Sequence, residues 1–103
     1  MAKRTIHLRI KPRTGDHQEL GAFLRNAVPY YEALPGVRVR LLRSLDDPSQ
    51  YVEVVEYETV AAFNADEKRM AIDPRMQAFL RDWRATLAQD VIVETYEDVS
   101  EEM

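Results

Sequence analysis

The side chains able to do chemistry in this chain are few. It holds two histidines, five tyrosines, one tryptophan and no cysteine. Without cysteine there is no thiolate nucleophile, no disulfide, no zinc finger and no iron-sulfur cluster. His7 sits in an alternating stretch, Thr5 to Lys11, with Ile6, Leu8 and Ile10 on one face and His7, Arg9 and Lys11 on the other. An imidazole on the polar face of such a strand can move protons near neutral pH. Arg9, with Arg38 and Arg40 from a second alternating stretch, offers bidentate contacts to a ligand carboxylate or phosphate. Pairing with the glutamates of a neighbouring strand satisfies the same guanidinium groups. Tyr51, Tyr57 and Tyr96 can stack on a flat substrate and exchange a hydroxyl proton. His7 and Tyr57 are therefore the candidate catalytic residues, and Arg9, Arg38, Arg40, Tyr51 and Tyr96 the candidate substrate-binding residues.

Other groups carry weaker signals. Glu53, Glu56, Glu58 and Glu94 could act as general acid and base, but carboxylates on two strands at unknown separation specify no reaction. Asp66, Glu67 and Asp73 lack the spacing of a calcium loop, and His7 and His17 are too far apart in sequence to suggest a shared ligand set, so no metal is expected. Trp83 shares a helical stripe with Phe79, Leu80 and Leu87, which assigns it to the core.

The elements that must position these residues follow from periodicity. Thr5 to Lys11 is a first strand, ended by Pro12-Arg13-Thr14-Gly15. Asp16 with Glu19 three residues later predicts a capping box for a helix striped by Leu20, Phe23, Leu24, Ala27, Val28 and Tyr31. Pro29 inside that stripe predicts a kink or a break into two pieces. After the Pro35-Gly36 turn, Val37, Val39 and Leu41 alternate with Arg38, Arg40 and Leu42 as a second strand. Tyr51 to Glu58 is a third strand with both faces mixed. Thr59 caps a second helix, and Asp73-Pro74 ends it and starts another, a cap residue followed by proline at the first helical position. Val91 to Val99 reads as a fourth strand and Ser100 to Met103 as a frayed tail. The order βαββαβ predicts one ferredoxin-like α+β domain over residues 1–103, with helices on one face of an antiparallel sheet of strand order 4-1-3-2.

Charge supports that topology. Residues 1–43 hold nine Lys/Arg against three Asp/Glu, and residues 44–103 hold five against fifteen. The first two strands are basic and the last two acidic, so the order 4-1-3-2 alternates acid and base and neighbours attract. The whole chain has a net charge of -4 and a pI near 5.2. Together with the acidic third strand, Tyr-Val-Glu-Val-Val-Glu-Tyr-Glu, this argues against nucleic acid as a partner. The chain opens directly into a strand pattern and holds no apolar run long enough to span a bilayer, so no membrane association and a cytoplasmic location are expected. A chain of 103 residues builds a thin core, and a helix-free sheet face with aliphatic and tyrosyl side chains calls for cover, so a homodimer is expected.

Specific stretches carry a resemblance. Pro35-Gly36-Val37, Asp46-Asp47-Pro48, the run from Tyr51 to Phe63, and Asp73-Pro74-Arg75-Met76-Gln77-Ala78-Phe79-Leu80 resemble the dimeric α/β-barrel superfamily, and most closely its antibiotic biosynthesis monooxygenase-like domains. Glu67-Lys68-Arg69 before Asp73-Pro74 and Phe79 is also similar to NIPSNAP-like members. Many monooxygenase-like members carry a histidine in the second helix where this chain has Asp66. Haem-degrading members hold iron with a histidine of that helix, so no haem is implied here. The resemblance implies two ferredoxin-like sheets packed face to face, and a protein that binds an apolar or aromatic metabolite as a small-molecule ligand. A cofactor-independent monooxygenase is the leading expectation, with no cofactor. The alternative is a non-catalytic ligand-binding or structural accessory domain.

Overall fold

The computed structural model describes residues 3–103. Strand β1 (Arg4–Ile10) is followed by helix α1 (Gln18–Tyr31), strands β2 (Val37–Arg43) and β3 (Tyr51–Tyr57), helices α2 (Val60–Ile72) and α3 (Pro74–Arg84), and strand β4 (Ile92–Glu97). The strands form one antiparallel sheet ordered β2-β3-β1-β4, the expected ferredoxin-like arrangement. Among the described residues, no helix is long and apolar enough to cross a membrane.

Strand alternation decides which side of the sheet each residue occupies. Ile6, Leu8 and Ile10 of β1 face the helices, and the register places Val55, Glu53 and Tyr51 of β3 beside them in turn. Leu20, Leu24, Ala27 and Tyr31 of α1 and Met76 and Trp83 of α3 close over that face as the main core. A smaller cluster of Val37, Tyr57, Ala62 and Phe63 fills the end where α2 begins. On the other face the alternating charges meet. Arg9 pairs with Glu94 at 2.9 Å, and Arg40 with Glu56 at 2.6 Å.

Local signals account for most boundaries. The Thr59 hydroxyl accepts from the Ala62 N–H at 3.0 Å, and the Asp73 carboxylate accepts from the Arg75 N–H at 2.9 Å. Pro74 takes the first position of α3, where a missing donor costs nothing. Gly36 adopts a φ of +84°, the left-handed conformation that lets the chain turn into β2 without a steric penalty.

Three expectations are corrected. The Asp16–Glu19 capping box does not form, because Arg13 captures the Glu19 carboxylate through two hydrogen bonds of 2.7 Å. Asp16 instead accepts from the Gln18 N–H at 3.0 Å, and His17 stands at the cap position. Pro29 neither breaks nor divides α1, which continues to Tyr31; the proline falls so near the helix end that few bonds depend on it. Finally, β4 is shorter than expected, and Ser100–Glu102 form a 3₁₀ turn in which Asp98 accepts from the Ser100 N–H at 2.9 Å.

Candidate functional site

Between the sheet and the helices lies a cavity of about 220 Å³. Ile6, Leu8, Val39, Val55 and Val93 form its sheet wall, and Tyr31, Met70, Met76, Leu80 and Trp83 its helix wall. An apolar cavity of about 150 Å³ takes a benzene ring, so this one accommodates a larger aromatic. Into this lining project a small number of polar groups: Glu53, Tyr57 and Asp66, with the exposed Arg84 at the edge.

Glu53 occupies an inward position of β3, opposite Leu8 on one side and Leu41 on the other, and is only 4% exposed. Its Oε1 accepts from the Trp83 indole N–H at 3.0 Å. Burial among apolar side chains disfavours the carboxylate and pushes Glu53 up to about 7, a rise the Trp83 bond opposes. A carboxyl group balanced near neutrality beside an apolar cavity can accept and return a proton there.

A second polar cluster stands where β3 ends. The Tyr57 hydroxyl donates to Asp66 Oδ2 at 2.5 Å. Arg69, one helical turn beyond Asp66, donates to Asp66 Oδ1 from Nε at 3.1 Å and from Nη2 at 2.8 Å. The same guanidinium reaches the carbonyls of Tyr30 and Tyr31 at 2.9 and 2.8 Å, tying α2 to the end of α1. Burial and the adjoining carboxylate hold the Tyr57 phenol well above its ordinary value, so it stays neutral.

The candidate residues read from the sequence divide between the two faces of the sheet. His7 lies on the open face, between Val54 and Glu94 in register, with its ring centroid 5.0 Å from that of Tyr96. Arg9 and Arg40 share that face, already paired with Glu94 and Glu56. Arg38 stands opposite Glu56 in register and borders a polar recess at the sheet end with Lys3 and Asp98. Tyr51 and Tyr57 are buried on the helix face; Tyr51 lies beyond the cavity, its hydroxyl 3.2 Å from His17 Nδ1. The structure therefore does not bring His7 and Tyr57 together. Tyr57 pairs with Arg4 and so shares the side of Ile6, whereas His7 is one residue out of phase. The apolar cavity lies on the helix side of the sheet, away from His7. Tyr57 is the one candidate that lines the cavity.

Glu53 and Asp66 are the carboxyl groups that line the cavity; from the sequence Glu53 stood out only as one of four possible general acids and bases, and Asp66 only as a residue without calcium-loop spacing. A signal existed for Glu53: it alternates in step with Tyr51, Val55 and Tyr57, so any register that buries those residues buries the carboxylate too. Asp66 had no signal in periodicity, because the stripe of α2 is weak, and only the family resemblance marked its position. Trp83 is a core residue, as expected, and lines the cavity as well. Among the described residues no cluster of three or more His, Asp or Glu is arranged to hold a metal ion.

No protein-family model matches this chain, and no curated protein matches its sequence. Solved structures do match its shape. An antibiotic biosynthesis monooxygenase candidate from Bordetella bronchiseptica is 24% identical, with a TM-score of 0.68 over 96% of this chain and 99% of that one. The Rv0793 protein of Mycobacterium tuberculosis is 22% identical, with a TM-score of 0.72 over 98% and 99%. A mutant of SnoaB, a cofactor-independent oxygenase from Streptomyces nogalater, is 20% identical, with a TM-score of 0.69 over 98% and 95%. Likeness at such identities is likeness of fold, and the chain carries the ferredoxin-like fold that its neighbours, the antibiotic biosynthesis monooxygenase-like proteins, share.

Proposed function

We propose that this protein is a small homodimeric oxygenase that acts without a cofactor on an aromatic metabolite held between sheet and helices, with Glu53 as general base. The observation that carries this reading is the buried Glu53 carboxyl, poised near neutrality against an apolar cavity of aromatic size. A solved protein of the same fold is a cofactor-independent oxygenase, which agrees with it.

The chemistry balances on the substrate alone. Glu53 takes a proton from an acidic CH₂ group flanked by aromatic rings or a carbonyl, leaving a delocalised carbanion. The carbanion passes one electron to dioxygen, and the two radicals combine into a carbon–oxygen bond. The resulting peroxide loses its second C–H proton and breaks its O–O bond, so CH₂ plus O₂ yields C=O plus H₂O. All four electrons come from the substrate carbon. The apolar lining lowers the cost of a spread-out anion relative to a compact one.

Homodimerisation belongs to the same proposal. Leu42, Ile92 and Tyr96 stand 45 to 54% exposed on the sheet face without helices. A second copy laid on that face covers them and seats His7, Arg9, Arg38 and Arg40 at the interface. Sedimentation at micromolar concentration should give twice the chain mass, and a monomer would remove this part.

Oxygen uptake with anthrone and hydroxynaphthalenes tests the catalytic part. Wild type should consume dioxygen with at least one of them, and Glu53→Gln should lose about 10²- to 10³-fold in kcat, the scale of a missing general base. Full activity in Glu53→Gln would refute the assigned base. Binding without oxygen uptake would make this a ligand carrier.

A further inference from the structure

Proton abstraction by Glu53 makes no use of the cavity's other polar end. Tyr57 follows Glu53 by four residues on the same face of β3, about 13 Å away at the usual strand rise. A phenylalanine would fill the Tyr57 position without any need for Asp66, yet the chain buries an aspartate there and then an arginine to balance it. Such a buried polar set is costly unless every member is satisfied, and here every member is.

The direction of each bond in this cluster is fixed. Asp66 accepts from Arg69 Nε, Arg69 Nη2 and Tyr57 Oη. An ionised carboxylate has no proton to give, so the Tyr57 hydroxyl must be the donor. Its proton is committed to Asp66, and a lone pair is all the oxygen has left. Arg69 spends four of its five N–H groups on Asp66 and on the carbonyls of Tyr30 and Tyr31, and it is not among the residues that line the cavity. Tyr57 and Asp66 both line that cavity. A polar ligand atom arriving at this end therefore meets an acceptor and has to bring its own proton.

We infer that Tyr57, oriented by the Asp66–Arg69 pair, is a specificity-determining residue that selects ligands bearing a hydroxyl or N–H donor at the end remote from Glu53, over the matching ethers and carbonyls. The inference rests on the cavity being the substrate site. It narrows the substrate class to aromatics that keep a free phenol or amine at the far end.

Calorimetry with 2-naphthol and 2-methoxynaphthalene tests it in wild type, Tyr57→Phe, Asp66→Asn and Glu53→Gln. Wild type should prefer the naphthol by about five- to tenfold, the worth of one net hydrogen bond. Tyr57→Phe should abolish the preference while keeping its affinity for the methoxy compound. Asp66→Asn is nearly isosteric, which guards against a Tyr57→Phe protein that fails to fold. Arg69 continues to hold the amide oxygen, so the new NH₂ group donates to Tyr57 and turns its hydroxyl proton into the cavity. That variant should lose the preference, because a donor at Tyr57 is accepted by the oxygen of either compound. Glu53→Gln should leave the preference in place. Equal binding of the two compounds to wild type would overturn the inference while leaving the cavity as the site. So would a preference that survives both Tyr57→Phe and Asp66→Asn, or one that disappears only in Glu53→Gln. If neither compound binds wild type, the reading of the cavity falls along with the inference.

Discussion

Glu53 and Glu56 stand three residues apart on one strand and live in different solvents. Glu53 points toward the helices, 4% exposed, among leucine, valine and tryptophan side chains. Glu56 points to the open face, where Arg40 meets it at 2.6 Å with both side chains about half in water. The open face uses carboxylates as partners for arginine, which adds little energy because water screens them. The helix face withholds a cationic partner from Glu53, and the desolvation moves its protonation to about 7. The difference lies in what surrounds the carboxylate, since the residue type and the strand are the same. The covered face therefore holds the perturbed carboxyl on which the proposed chemistry rests, while the carboxylates of the open face are paired with arginine.

The largest expected effect comes from removing the aromatic that closes the covered face. Trp83→Ala should cost about 3 to 5 kcal/mol in denaturant unfolding, the usual penalty for truncating a large core aromatic. Trp83→Phe sharpens the contrast, because it keeps the packing and deletes the N–H bond to Glu53. It should raise Glu53 further above 7 with a smaller loss of stability. A Trp83→Ala protein of near-normal stability would show that the covered face is not a core.

Next in size is the pH dependence of folding. Between pH 4.5 and about 7 the folded protein holds a proton on Glu53 that the unfolded chain has released. The folded state binds more protons there, so stability falls as pH rises through that window, by about 3 kcal/mol, and levels off above it. Glu53→Gln should abolish this decline. Subtracting its stability profile from that of wild type isolates Glu53 from Asp47, Asp73 and Asp98, which hydrogen bonds hold below their ordinary range. Parallel profiles for wild type and Glu53→Gln would contradict the contrast between the faces.

The smallest effects belong to the open face. Arg9→Ala and Arg40→Ala should each cost no more than about 1 kcal/mol, since their ion pairs are largely solvated. Neither should change the affinity for 2-naphthol. A several-fold loss of binding in either variant would restore the open face as part of the ligand site.

The sequence exposes the scaffold more readily than the site for a physical reason. Ile6, Leu8 and Ile10 alternate without ambiguity, and Thr59, Asp73 and Pro74 each perform a local backbone task that residue type alone reveals. β3 is different: Tyr51, Glu53, Val55 and Tyr57 look no more apolar than Val52, Val54, Glu56 and Glu58, so composition does not say which set faces the helices. The pairing with β1 decides it, and that is a long-range fact. Asp66 is harder still, because its role depends on Tyr57 from β3 and on Arg69 holding the end of α1. Glu19 shows the opposite failure, in which a sound local pattern loses to a bidentate arginine six residues away. His7 and Arg9, Arg38 and Arg40 stand on the open face, Arg9 and Arg40 in ion pairs, whereas the proposed base is a glutamate in a place where a glutamate is expensive.

The most direct test of the account is an NMR titration of the Glu53 side-chain carboxyl carbon, assigned by comparison with Glu53→Gln. A buried Glu53 should give a midpoint near 7 that moves when 2-naphthol fills the cavity. A midpoint at the ordinary 4.5, unchanged by ligand, would show that Glu53 is solvated and is not the base.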